Sequence, residues 1–150
     1  MFRTFILSLL LASISLASKV DLHTPSTAVQ SYYDAINEGD MNALSQVMLQ
    51  DSYDKDVQIY ALSIAFKDKG FHKVLGRYNS SEDAKKTVIL AVQEKLKQRK
   101  QRTIIINKEI SLGKDRVMVR FSEESKQKQL YLSYHAQGWK IDYLAGRKTD

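Results

Sequence analysis

The chain has 150 residues, 23 Lys and Arg against 17 Asp and Glu, a formal net charge of +6, and no cysteine. The missing cysteine excludes disulfide scaffolding, thiol catalysis, thiolate metal sites and redox roles. The charge excess is compatible with an anionic partner without requiring one, and one proline, six glycines and no internal repeat exclude a disordered tail.

Arg3 is the only charge before Lys19, and Phe5 to Leu16 is an apolar run broken only by serines. Ser15-Leu16-Ala17 offers the small residues that a signal peptidase reads. The pattern predicts a signal peptide over 1–17 and a single domain over 18–150, exported to the periplasm or secreted. The run is short against the roughly 20 apolar residues of a spanning helix, so an uncleaved membrane anchor is the rival reading. No cysteine follows the run, which excludes a lipid-modified N-terminus. About 133 residues then remain, a length that fits one domain with its own core.

Thr24 is placed to cap a first helix, with Pro25 at its first position, where a missing N–H costs nothing. Ala28, Val29, Tyr32, Tyr33 and Ile36 recur at three- and four-residue spacing and make one apolar stripe. Gly39 suits a left-handed stop. Asp40 caps a second helix with Leu44, Val47 and Met48 inward. Val57, Tyr60, Ala61, Ile64 and Ala65 fit a helix better than a strand, and Phe71, Val74 and Leu75 suggest further helical turns ending near Gly76. Ser80 or Ser81 caps another helix, with Glu82 and Asp83 in its first turn, where the dipole favours anions. Ala84, Val88, Ala91, Val92 and Leu96 mark its buried side.

The period then changes from 3.6 to 2. Ile104, Ile106, Ile110 and Leu112 predict a first strand with an irregularity near Lys108, and Gly113-Lys114 a hairpin turn. Val117, Val119 and Phe121 alternate with Arg116, Met118 and Arg120 on a second strand. Leu130, Leu132 and Tyr134 alternate with Tyr131, Ser133 and His135 on a third. On the fourth, Trp139, Ile141 and Tyr143 share a face, with Trp139 expected to be buried against the first helix. Helices first and a meander after them predict an α+β fold: N-terminal helices packed on a curved antiparallel sheet of about four strands.

The helix pair over Thr24–Met48 and the closing Gly138-Trp139-Lys140-Ile141 resemble the nuclear transport factor 2-like superfamily, the cone-shaped fold also called cystatin-like. Many small exported bacterial domains of unknown function in it look similar. The segment from Asp51 to Arg102 reads as wholly helical, where superfamily members commonly place a strand. The resemblance implies a container, and containers carry many unrelated functions. Its enzymes, such as those similar to ketosteroid isomerase, set an acid–base carboxylate and a tyrosine donor inside the cone.

No phosphate loop, dinucleotide fingerprint, zinc spacing or nucleophile elbow is present, so neither cofactor nor metal is expected. His23, His72 and His135 lie far apart and lack ligand partners at helical spacing. Tyr32, Tyr33, Tyr60, Tyr134, Trp139 and Tyr143 are the candidate ligand-binding side chains. Tyrosines so placed also serve as core bodies with wet hydroxyls. Asp34 lies off the apolar stripe and Asp142 points opposite Trp139, which puts both carboxylates on the wet side. The packing of 51–78 is not fixed by the pattern. Asp54, Asp56 or His72 could turn inward there beside Tyr60 and form a site. Lys95, Lys97, Arg99, Lys100 and Arg102 could meet an anionic partner, but cations at a helix end also offset its dipole, and the solvated helix end is preferred. No aromatic residue interleaves with this run, so nucleic acid is disfavoured. The expected function is an exported binding or accessory domain, with a small apolar ligand or a protein partner and no catalytic residue. The alternatives are a cone-fold isomerase or hydrolase, and a module that homodimerises through a sheet face carrying Tyr131, Met118 and Leu144.

Overall fold

The structure, a computed structural model, describes residues 19–147. The expected signal peptide over 1–17 lies outside the described residues. Five helices come first: α1 (Pro25–Glu38), α2 (Met41–Val47), α3 (Gln50–Ala65), α4 (Lys69–Leu75) and α5 (Glu82–Lys97). Four strands follow, β1 (Ile104–Gly113), β2 (Arg116–Glu123), β3 (Lys126–His135) and β4 (Gly138–Ile141). They form one antiparallel sheet in the order β1-β2-β3-β4. The chain is α+β, as its periodicity predicts.

The helix ends are where capping chemistry puts them. Thr24 Oγ1 accepts from the N–H of Thr27, and Thr27 answers with a bond from the N–H of Thr24. Gly39 closes α1 at φ 64°, and the Asp40 side chain caps α2 through the N–H of Ala43. Ser81, rather than Ser80, caps α5. The expected irregularity in β1 is a register shift between Ile106 and Lys108.

The core lies between the helices and one face of the sheet. Val29, Tyr32, Tyr33 and Ile36 of α1 and Leu44 and Val47 of α2 pack with Val57 of α3 and Val88 and Val92 of α5, over Val119, Phe121, Leu132 and Ile141. The short edge strand β4 is covered on its outer side. Trp139 N–H donates to Leu22 O at 2.9 Å, and Leu49 N–H to Ile141 O at 3.0 Å. An edge covered in this way offers no row of free backbone groups.

Two expectations are corrected. Trp139 is half-buried, not enclosed against α1: it sits at the end of the sheet, edge to face with the exposed Tyr134 at 5.3 Å. The ring packs against the core while part of it stays exposed. Met118, expected on an open sheet face with Tyr131 and Leu144, is buried, and Tyr131 is half-buried. The C-terminal segment turns back over this face: Asp142 N–H donates to Tyr131 O, and Gly146 lies against the Tyr131 ring. Leu144 alone of the three is exposed.

Candidate functional site

Helix α3 presents Ser52, Asp56, Tyr60 and Ser63 along one stripe, at spacings of four, four and three. Ser52 and Asp56 are buried. The stripe faces α1 and the segment after β4, and it holds a buried polar cluster. Tyr32 of α1 donates its hydroxyl to Asp56 Oδ2 at 2.7 Å. Tyr143 donates to Asp56 Oδ1 at 2.5 Å. Tyr143 is held at both ends by one turn of α3, because its backbone N–H donates to Ser52 Oγ at 3.1 Å. The Lys55 ammonium lies 5.9 Å from the centre of its ring.

Burial pushes the Asp56 carboxyl above the ordinary carboxylate range, and the bonds from Tyr143 and Tyr32 only partly offset it. Burial raises Tyr32 and Tyr143 as well, reinforced by the charge of Asp56. Tyr60 is raised by burial and by Asp56, with Arg102 opposing. Tyr33 stands beside Tyr32 at 5.3 Å and is pushed up to about 12 by burial.

The carboxylate floors a hollow of about 430 Å³, lined by Asp56, Ile59, Tyr60 and Ser63 of α3 with Lys95, Arg99 and Arg102 across from them. The Arg99 guanidinium lies 5.5 Å from the centre of the Tyr60 ring. Arg102 is fixed by two sets of bonds. Its backbone C=O accepts from Asn37 Nδ2 and its N–H donates to Asn37 Oδ1, both at 2.8 Å. Its guanidinium meets the buried Glu123 at 3.1 Å, and Lys128 pairs with the other oxygen of Glu123.

The basic run therefore splits. Lys97 pairs with Glu94 and Lys100 with Glu124 at the surface, as a solvated helix end requires. Lys95, Arg99 and Arg102 turn to the hollow, which corrects the expectation for those three. Two carboxylates outside the wet-side pair Asp34 and Asp142 are buried, Asp56 and Glu123. Of the three side chains in 51–78 that could turn inward, Asp56 enters the core and His72 stays exposed. Asp54 ties α3 to the turn before α5 through the Tyr78 hydroxyl at 2.7 Å and to α5 itself through Lys85 at 3.1 Å. Burial raises its carboxyl, but bonds from Gln50, Tyr78 and Lys85 outweigh this and hold it below its ordinary value.

The candidate aromatics thus form two groups. Tyr32, Tyr60 and Tyr143 surround Asp56, with Tyr33 beside Tyr32. Tyr134 and Trp139 belong to the other end of the sheet, where a hollow of about 580 Å³ is lined by Val20, Leu22, His23, Gln46, Tyr134 and Gln137 among others. No buried titratable side chain lines it.

A third cluster has the composition of a hydrolytic triad but the wrong direction. Ser133 Oγ lies 2.7 Å from His135 Nε2 and donates to Asp142 Oδ2 at 2.8 Å. The hydroxyl has one hydrogen and a carboxylate only accepts, so His135 Nε2 must donate to the serine. A nucleophilic serine needs the histidine to accept. Among the described residues no group of His, Asp and Glu is arranged to hold a metal ion.

No protein-family profile matches this chain, and no curated protein matches it. Among solved structures it is similar to a Thiobacillus denitrificans protein described as a calcium/calmodulin-dependent protein kinase type II association domain. The likeness covers 82% of this chain and 93% of that one at 11% identity, with a TM-score of 0.44.

Proposed function

We propose that the chain is an exported nuclear transport factor 2-like binding domain whose ligand is a small organic anion held by Lys95 and Arg99 in the hollow beside Asp56. One observation carries this reading: a buried carboxylate held by two tyrosine hydroxyls lies at the floor of a hollow with three cations. Glu123 already engages Arg102 and Asp56 is itself anionic, so the hollow keeps a modest positive balance suited to a singly charged ligand. The ligand's charge meets Lys95 and Arg99, and its hydrogen-bonding end meets Tyr60 and Ser63. Thermal-shift titration with short aromatic and hydroxylated carboxylates tests this. Wild type gains stability with ligand concentration, and Arg99→Ala with Lys95→Ala does not. A full panel without effect on wild type refutes the reading.

A cone-fold enzyme is the second reading, favoured by the raised Asp56 carboxyl beside tyrosine donors. It predicts that Asp56→Asn keeps ligand binding and loses turnover. The binding reading predicts that no ligand is converted by wild type.

A further inference from the structure

Helix α3 has apolar residues on the side that faces solvent. Val57, Ala61 and Ala65 point into the core, while Ile59, Leu62 and Phe66 are 53, 44 and 87% exposed. Their spacing of three and four residues makes one stripe along the last turns of the helix. Isolated exposed apolar residues are ordinary, but an aligned set at a helix tip is a surface with a use.

The charges around the stripe are mostly positive. Lys67 follows Phe66 in the turn, and Lys69, Lys73 and Arg77 follow along α4 and just past it, all exposed. Phe71, Val74 and Leu75 pack on the core, so the opposite side of α4 carries Lys69 and Lys73. None of these four cations is in a salt bridge among the described residues. The one acid between Phe66 and Arg77 is Asp68, and it caps α4 through the N–H groups of Gly70 and Phe71. On the other flank, Ile59 borders the hollow that holds Lys95 and Arg99.

We infer that this corner, Ile59–Leu62–Phe66 with Lys67, Lys69 and Lys73, docks on an anionic lipid surface. The apolar stripe enters the headgroup boundary and the lysines meet the phosphates. Charge complementarity selects a bilayer over a second copy of the chain. A two-fold contact centred on Phe66 would set both copies' lysines against one another.

The test uses sedimentation of the full chain with phosphatidylcholine vesicles containing about 30% phosphatidylglycerol, against pure phosphatidylcholine. Phe5–Leu16 is common to every sample, so the readout is the preference for anionic over neutral vesicles. Wild type should show that preference and lose it in about 0.5 M salt. Each of Lys67→Gln, Lys69→Gln and Lys73→Gln should weaken anionic binding about fivefold, the worth of one cation at such a surface. Phe66→Ser and Leu62→Ser should weaken it with unchanged thermal unfolding, and Lys114→Gln, in the β1–β2 hairpin, should leave it intact. The inference fails if wild type shows no anionic preference, or if the preference survives in the triple lysine variant. It also fails if Phe66→Ser changes the oligomeric mass and not vesicle binding, which would make a second copy the occupant.

Discussion

Tyr143 donates its hydroxyl to Asp56 Oδ1 at 2.5 Å although 87 residues separate the two in sequence. With Tyr32 on the other oxygen, the bond fastens α1, α3 and the segment after the last strand to one carboxylate. Removing the Tyr143 hydroxyl takes away a bond to a buried charged group. Tyr143→Phe should cost about 1–3 kcal/mol in denaturant unfolding. A loss near zero would show that the hydroxyl bonds water instead.

The raised Asp56 carboxyl has a signed pH consequence. The folded chain keeps the proton to higher pH than the unfolded chain, so between the ordinary carboxylate pKa and the raised one the native state binds more protons. Stability contributed at this site therefore falls as pH rises through that window and is constant above it. Asp56→Asn should lose that slope, and carbon NMR of the Asp56 carboxyl should give a midpoint above the ordinary value. A midpoint within or below the usual carboxylate range contradicts the burial argument. Asp54 works in the opposite sense: its lowered carboxyl stabilises above the unfolded pKa, and that contribution is lost as pH falls through the folded one.

Glu123 is buried between Arg102 and Lys128. Arg102→Ala leaves one cation on it and should cost about 2 kcal/mol, below the full loss of a buried pair because Lys128 remains. Paired substitution with Glu123→Gln should recover part of this in a double-mutant cycle. Simple additivity would mean that the two side chains act independently.

Trp139 is half-buried against the core. Trp139→Ala should cost about 1–2 kcal/mol, less than the roughly 3–5 kcal/mol of a fully enclosed aromatic. Acrylamide should quench its fluorescence to an intermediate extent. Full protection from quencher would restore the enclosed placement.

Gly138 holds φ 116°, and a Cβ there would stand 2.4 Å from Leu22 O. Gly138→Ala should cost about 2 kcal/mol, since both the backbone and the N-terminal segment must shift. Hydrogen exchange at Trp139 N–H, which Leu22 O protects, should quicken in that variant.

The helix ends and strand alternation were legible because each rests on nearby residues: Thr24 with Thr27, Asp40 with Ala43, and Val117, Val119 and Phe121 on one face. Asp56 was legible only as one of three side chains able to turn inward. Its helix has an inner apolar stripe, Val57, Ala61 and Ala65, but Ser52, Asp56 and Tyr60 also turn inward while Ile59, Leu62 and Phe66 face outward, so periodicity alone does not single out Asp56. The signal available was the spacing of Ser52, Asp56, Tyr60 and Ser63. Tyr32 and Tyr143 stand 24 and 87 residues away, and no local rule relates them. Arg102 escaped the solvated reading because Asn37, 65 residues upstream, anchors its backbone.

The Tyr143–Asp56 bond also orders events in time. A ribosome delivers Tyr32 and Asp56 long before Tyr143, so a nascent chain has only one of the two donors for that carboxylate. Until Tyr143 emerges, the Asp56 carboxylate lacks one of the two bonds that offset its burial, so the helical half closes at a cost. Completion of the core therefore waits for the segment after β4, which makes that segment a timing element as well as a structural one.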